Sequence, residues 1–247
     1  IQGKKLDKVY EANYFLNLSY YQIDLIKLIS SVKLKIYPYF RKNEVLSFLK
    51  EPLRDISISR SNERAKNWGV PVPNDPTQRM YVWFDALNIY RSGVDKATWP
   101  ADLHVIGKGI IRFHTVYWPA FLLSAGLELP KAVMAHGYLT VDGQKMSKTI
   151  GNIIDPLEII NKYGVDTLRY YLLREISPFD DGDFSYRRLD EVYSSDLANE
   201  LGNLVMRITT LAEKDKLEIK PIYNFQFSNL TIEQFDSFEF NFILESI

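Results

Sequence analysis

The sequence predicts an α/β fold, a parallel sheet with helical crossovers, followed by an α-helical bundle. Short apolar runs at Met80–Phe84, Leu103–Gly107 and Ala132–His136 alternate with helix-length segments. That alternation is the pattern of parallel strands joined by right-handed crossovers. Ligands on such sheets bind beyond the carboxyl ends of the strands, which points to Trp83–Tyr90, Gly107–His114 and His136–Lys148. From Tyr186 to about Ala212, Leu189, Tyr193, Leu197, Leu201, Leu204, Ile208 and Leu211 step by three or four, the seam of a bundle helix.

The other elements follow in order. Residues 8–29 place Tyr14, Leu18, Tyr21, Leu25 and Leu28 at helical spacing. Pro38 breaks the next segment, Glu44–Leu49 reads as a short helix ended by Pro52, and Ile56–Ser59 alternates as a strand does. Asn74-Asp75-Pro76 is a turn or linker. A helix is expected from about Gly109 to Ala125. Asp142-Gly143 favours a hairpin turn. Asp155 then caps a helix, with Pro156 in its first turn and Glu158 three after the cap. Residues 156–175 form two helices separated by Gly164, a polar turn covers Asp180–Asp183, and a domain boundary falls near 185. A last helix starts near Thr231. Residue 1 is not Met and the chain stops inside that helix, so both ends are expected to be cut from a longer protein.

Composition narrows the function classes. A chain of 247 residues holds one large or two small domains. Zero cysteines exclude disulfides and Cys-ligated zinc. No run reaches transmembrane length and no signal peptide is visible, so the cytoplasm is the expected compartment. The glycosylation patterns at Asn17 and Asn229 are read as chance for the same reason. A net charge of −1 gives no global basic field, so any RNA contact must be local.

Three residue groups carry chemistry. Lys145-Met146-Ser147-Lys148-Thr149 sits on a loop between a buried strand and a helix. Paired ammonium groups there can stabilise charge growing on a leaving pyrophosphate, though the lysines alone favour an ordinary solvated loop. Ala86 and Tyr90 are four apart, as are Ile110 and His114. With Trp83 they can converge on an aromatic-walled apolar pocket, which suits a polarizable thioether. The ordinary reading is core packing with a satisfied buried histidine. Asn199, Asn203 and Arg207 form a polar stripe away from the seam. Such side chains read unstacked bases, though every bundle helix has a solvated polar face.

Taken together, the ordered blocks resemble the methionyl-tRNA synthetase family of class I. These are Ala135-His136-Gly137-Tyr138-Leu139, the "KMSKS"-like Lys145–Thr149, Gly151-Asn152 and Tyr163–Tyr170, with the resemblance covering roughly residues 9–210. Thr149 replaces the final serine and keeps its hydroxyl. The resemblance implies the second half of a class I synthetase Rossmann-type parallel sheet, then a truncated anticodon-binding helical bundle. It divides the chain into the end of a connective region (1–78), the second half of the Rossmann-type domain (79–140), the KMSKS loop and stem-contact region (141–185) and the start of the bundle (186–247). It implies that Trp83, Ala86, Leu87, Tyr90, Ile110 and His114 line a methionine pocket. Gly107, His136, Gly137, Arg60, Lys145, Met146, Ser147 and Lys148 would bind ATP, with Lys145 and Lys148 catalytic. Asn199, Asn203 and Arg207 would read the anticodon. Gly109 stands where many members carry an aspartate that contacts the ATP ribose, and glycine supplies no carboxylate. Mg²⁺ would arrive with ATP; no zinc is expected.

The family's "HIGH" motif is not in this sequence. Its histidines are His104, His114 and His136, and His104-Val105-Ile106-Gly107 has the wrong order. The expected function is therefore that of a methionine–tRNA ligase fragment with tRNA(Met), methionine and ATP as partners. It would be inactive alone, carry an unpaired apolar strand edge, and be either marginally folded or associated with a complementary N-terminal half. The alternatives are a class I synthetase of other specificity and a noncatalytic tRNA-binding module.

Overall fold

The computed structural model describes residues 10–217 and 229–245. Its backbone divides into two compact units, Ile1–Ala135 and His136–Ile247. The stem-contact region and the long helix, expected on opposite sides of residue 185, share the second unit.

In the first unit the sheet order is Lys35–Tyr37, Ala132–His136, Leu103–Gly107. Lys35–Tyr37 runs parallel to the central strand, pairing Ile36 with Val133. The central strand is buried from Ala132 to Ala135, as expected for a strand covered on both faces. Leu25, Ile29, Val45 and Leu49 pack with Ile36, Ile106, Val116 and Val133 in one core. The helices that bring the first four there are Gln22–Ser30 and Tyr39–Lys50, the second longer than the Glu44–Leu49 expected.

Four expectations change here. Residues 8–29 are not one helix. The described part has a strand at Phe15–Leu16, a tight turn at Leu18–Tyr21 and helix only from Gln22, while residues 8 and 9 lie outside the described residues. The Asn17 side chain accepts the Tyr20 N–H at 3.2 Å, which sets a helix start there. The alternating run divides into Ile56–Ser57 and Ser59–Ser61, and the Ser59–Ser61 strand pairs antiparallel with Asp75–Met80. Asp75 and Pro76 thus open a strand, leaving the turn just before them, where Asn74 has φ +63°. Met80–Phe84 is not a strand: the backbone turns at Tyr81 into the helix Val82–Leu87. Trp83, Leu87 and Tyr90 are spaced four and three apart, and that helical face packs on Trp118, Phe121 and Leu122.

In the second unit, Leu139–Val141 pairs antiparallel with Gln144–Lys145 and parallel with Gly182–Phe184. The helices Pro156–Tyr163 and Val165–Glu175 meet at Gly164, φ +87°, as expected. Ile159, Leu168, Tyr171, Phe184, Leu189 and Val192 form their core. Asp155 caps the first helix, accepting the Leu157 N–H at 2.8 Å. The long helix runs from Tyr186 to Lys214, but its middle, Tyr193–Gly202, has wider turns bonded five residues apart. Its apolar seam is buried only at the start. Leu201, Leu204, Ile208 and Leu211 are more than half exposed, so the described residues contain no bundle around them. The last expected helix is two, Asn229–Asp236 and Phe240–Glu245, with Phe238 at φ +63° between them.

Candidate functional site

The predicted residues form three sets, one in the first compact unit and two in the second. The first centres on Tyr90 and His114. The His114 helix widens at Phe113–Tyr117, where the Trp118 N–H reaches the Phe113 carbonyl five residues back. A wide turn frees carbonyls from their usual partners, and side chains take them. His114 Nδ1 lies 3.0 Å from the Ile110 carbonyl oxygen, and the Thr115 hydroxyl donates to the Ile111 carbonyl at 2.8 Å. Nδ1 must therefore carry the ring hydrogen. In the neutral ring Nε2 is then the acceptor, taking the Tyr90 O–H at 2.8 Å. Burial lowers the His114 pKa and so favours that neutral form. Burial raises the Tyr90 pKa, keeping the phenol a donor.

Aromatic rings surround this pair. Trp83 stacks on Phe113 with centroids 3.9 Å apart, and Tyr90 lies 6.2 Å from Trp118. Phe113 and Trp118 were missed as neighbours, although Trp118 lies four residues after His114, the spacing that joins Ile110 to His114. Ala86 is exposed and Leu87 is buried in the core with Trp118. Ile110 packs its side chain on the other core and reaches His114 through its carbonyl. Gly107 ends the strand, and Lys108–Ile110 is a single tight turn. Arg60 is not a loose surface arginine. It donates to Ser57 Oγ at 2.6 Å and to the Ser59 carbonyl at 2.7 Å, with its guanidinium 4.3 Å from the Tyr81 ring centre.

His104, set aside as a decoy motif, belongs to this aromatic group: its ring centre is 4.2 Å from that of Tyr90 and 5.9 Å from that of His114. It is buried, and its Nε2 has no hydrogen-bond partner among the described residues. Burial, with the neighbouring His114, pushes its pKa down to about 4 from 6.5. Between those values the unfolded chain takes up a proton that the folded chain refuses. Stability is thus full above the unfolded pKa and falls as pH drops toward the folded one. The loss approaches ~3 kcal/mol at most. His104→Phe should flatten the urea midpoint between pH 6.5 and 4; an equally steep acid loss in the variant would refute this assignment. Glu11, lowered to about 2 by hydrogen bonds from Ser61, Asn13 and Arg64, acts only in a more acid window.

The second set is the lysine loop. Asp142 and Gly143 both have positive φ, +50° and +72°, as a two-residue hairpin turn of type I′ requires. Beyond the hairpin the loop is tied by side chains: Asn152 Oδ1 accepts the Ser147 N–H at 2.8 Å and Ser147 Oγ accepts the Thr149 N–H at 3.2 Å. Lys145 and Lys148 are exposed, Met146 and Ser147 half-buried. The exposed His136 has Nδ1 2.7 Å from the Gly137 carbonyl oxygen. A Cβ on Gly137 would lie 1.9 Å from the Asp180 carbonyl oxygen, so glycine is needed for backbone approach alone.

On the long helix Asn199, Asn203 and Arg207 are exposed, and Arg207 Nε donates to Asn203 Oδ1 at 3.1 Å. Asn203 and Arg207 line a cleft of about 330 Å³ with Met206, Thr210 and Leu211. Among the described residues, no group of three or more His, Cys, Asp or Glu is placed to hold a metal ion. No described helix is long and apolar enough to cross a membrane.

An α/β scaffold of this kind is shared by the class I synthetases. A family model described as tRNA synthetases class I (M) matches residues 1–209, and the chain belongs to that family. Its relatives are narrower still. The chain is 50% identical over 216 residues to a methionine–tRNA ligase of a Nostoc species, covering 83% of this chain and 40% of that protein. To the methionine–tRNA ligase of Rickettsia conorii it is 42% identical over 269 residues, 99% of this chain and 52% of that one. A crystal structure of Mycobacterium tuberculosis methionyl-tRNA synthetase bound by methionyl-adenylate superposes with a TM-score of 0.84 at 41% identity, covering 94% of this chain and 50% of that chain. The chain thus spans 40–52% of the length of these relatives.

Proposed function

We propose that this chain is part of a methionine–tRNA ligase working in the cytoplasm. The complete enzyme joins methionine to Mg²⁺-bound ATP, releasing pyrophosphate, and passes the methionyl group from the adenylate to the terminal ribose of tRNA(Met). The carrying observation is the Tyr90–His114 hydrogen bond within an aromatic wall. The rings give a thioether a polarizable surface, and the hydrogen bond fixes the phenol and the imidazole within that wall. Trp83, Ala86, Leu87, Tyr90, Ile110 and His114 are assigned to methionine. Gly107, His136, Gly137, Arg60 and Lys145–Lys148 are assigned to ATP. The protein supplies no nucleophile: the methionine carboxylate attacks the α-phosphate, and Lys145 and Lys148 neutralise charge as pyrophosphate leaves. The long helix opens an anticodon-binding bundle, with Asn199, Asn203 and Arg207 facing the tRNA. Its exposed seam from Leu201 to Leu211 supports that reading, because such a face suits further helices.

The test is methionine-dependent ATP–pyrophosphate exchange. The chain is expected to be inactive alone and active when mixed with an N-terminal half carrying the missing motif. Tyr90→Phe in the mixture should raise the methionine KM about tenfold with little change in kcat. Exchange supported equally by leucine would refute the specificity. Silence after demonstrated association, with a salt-sensitive tRNA gel shift, would favour a noncatalytic binder.

A further inference from the structure

We infer that Asn152 is a positioning residue for the lysine loop, holding the backbone from Lys145 to Ser147 in one conformation. The inference rests on the assignment of Lys145 and Lys148 to the phosphates of ATP. Both ends of the Asn152 carboxamide are engaged: Oδ1 accepts the Ser147 N–H at 2.8 Å, and Nδ2 donates to the Lys145 carbonyl at 3.3 Å. The two backbone groups flank Met146, so one side chain spans the segment between the two lysines. Gly151 brings Asn152 into place, since its φ of +75° reverses the chain and its N–H donates to the Ser147 carbonyl at 3.0 Å. Ser147 is therefore held through its N–H, its carbonyl and its hydroxyl.

The upstream end is tied separately. Asp183 Oδ1 accepts the Gly143 N–H at 2.8 Å and the Thr140 hydroxyl at 2.6 Å, locking the hairpin turn. Between these two anchors the ammonium groups remain exposed. A loop ordered in advance avoids the entropy cost of ordering when a polyphosphate binds, and keeps its charges where they are needed in the transition state. A carboxamide meets what position 152 requires, because it carries an acceptor and a donor on two separate atoms that reach two backbone groups at once. A carboxylate would keep the first contact, lose the second, and set an anion among the lysines.

Asn152→Ala tests this through hydrogen exchange on the 247-residue chain and through catalysis in the assembled enzyme. The Ser147 amide should exchange about tenfold faster, the loss of one hydrogen bond, while the Gly143 amide stays at its wild-type rate. Asp183→Ala should leave the Ser147 amide at its wild-type rate and speed Gly143 instead. In ATP–pyrophosphate exchange, Asn152→Ala should lower kcat about tenfold with the methionine KM unchanged. Unchanged Ser147 protection would overturn the clamp. Faster exchange with an unaltered kcat would overturn its role in positioning. An inactive wild-type assembly would overturn the functional assignment, while the Ser147 amide would still report whether the clamp exists.

Discussion

Lys145→Ala is expected to lower methionine-dependent ATP–pyrophosphate exchange in the assembled enzyme by about 100- to 1000-fold, the range for removing one electrostatic stabiliser of a transition state. The side chain is exposed, with no salt bridge among the described residues, so its removal should leave folding intact. The loss should fall on kcat, with the methionine KM near wild type, because the aromatic pocket proposed for methionine shares no residue with the loop. Lys145→Arg, which keeps the charge with a different shape, should recover part of the activity. Losses from Lys145→Ala and Lys148→Ala should not add, since both act on one developing charge. A Lys145→Ala enzyme within threefold of wild type would end the assignment of this loop to catalysis.

Gly137→Ala should be the most damaging small substitution. The added Cβ would sit 1.9 Å from the Asp180 carbonyl oxygen and 2.3 Å from its carbon, positions a backbone cannot vacate by a rotamer change. The Asp180–Asp183 segment would have to move as a piece. With it would go the Tyr138 N–H to Asp181 bond at 2.7 Å, the Gly182 N–H to Tyr138 carbonyl bond at 2.9 Å, and the pairing of Asp183 with Thr140. We expect a loss of ~3 kcal/mol, which lowers Tm by about 10 °C in a chain of this size. Calorimetry separates this from a direct nucleotide contact. A wild-type Tm combined with lost ATP binding would mean that Gly137 serves ATP rather than the fold.

The parts of the chain legible in sequence are those whose signals are local. Asp142-Gly143 demands positive φ at two successive positions and obtains it. Asp155, Pro156 and Glu158 mark a helix start, and the Asp155 side chain makes the expected cap. Leu103–Gly107 and Ala132–His136 are strands at the expected bounds. Other segments misled because their outcome depended on distant partners. Met80–Phe84 is apolar enough for a strand, but Trp83 and Leu87 find a helical face to fill against Trp118 and Phe121. Lys35–Tyr37 is a strand because Ala132–Met134 offers it hydrogen bonds, and the alternation of Val32-Lys33-Leu34-Lys35-Ile36 could have pointed to it.

The candidate site divides in the same way. Lys145, Lys148, Tyr90 and His114 were visible as residue types at telling spacings, and Tyr90 and His114 do meet. His104 lay in a misleading four-residue string, and Asn152 was read only as part of a matching block, with nothing local to show which backbone groups its side chain meets.

The sequence by itself determined the family, the α/β character of the first unit, the hairpin that launches the lysine loop, and the inventory of side chains available for phosphate and thioether. Each follows from chemistry within a few residues, such as turn dihedrals, capping oxygens and helical spacing. Only the tertiary structure decided that His114 is buried with Nδ1 against the Ile110 carbonyl and Nε2 against the Tyr90 hydroxyl, that Gly137 is demanded by the backbone of Asp180, and that one carboxamide bridges Lys145 and Ser147. These depend on burial and on approaches between elements, which are set when the whole chain packs and which no window of the sequence contains.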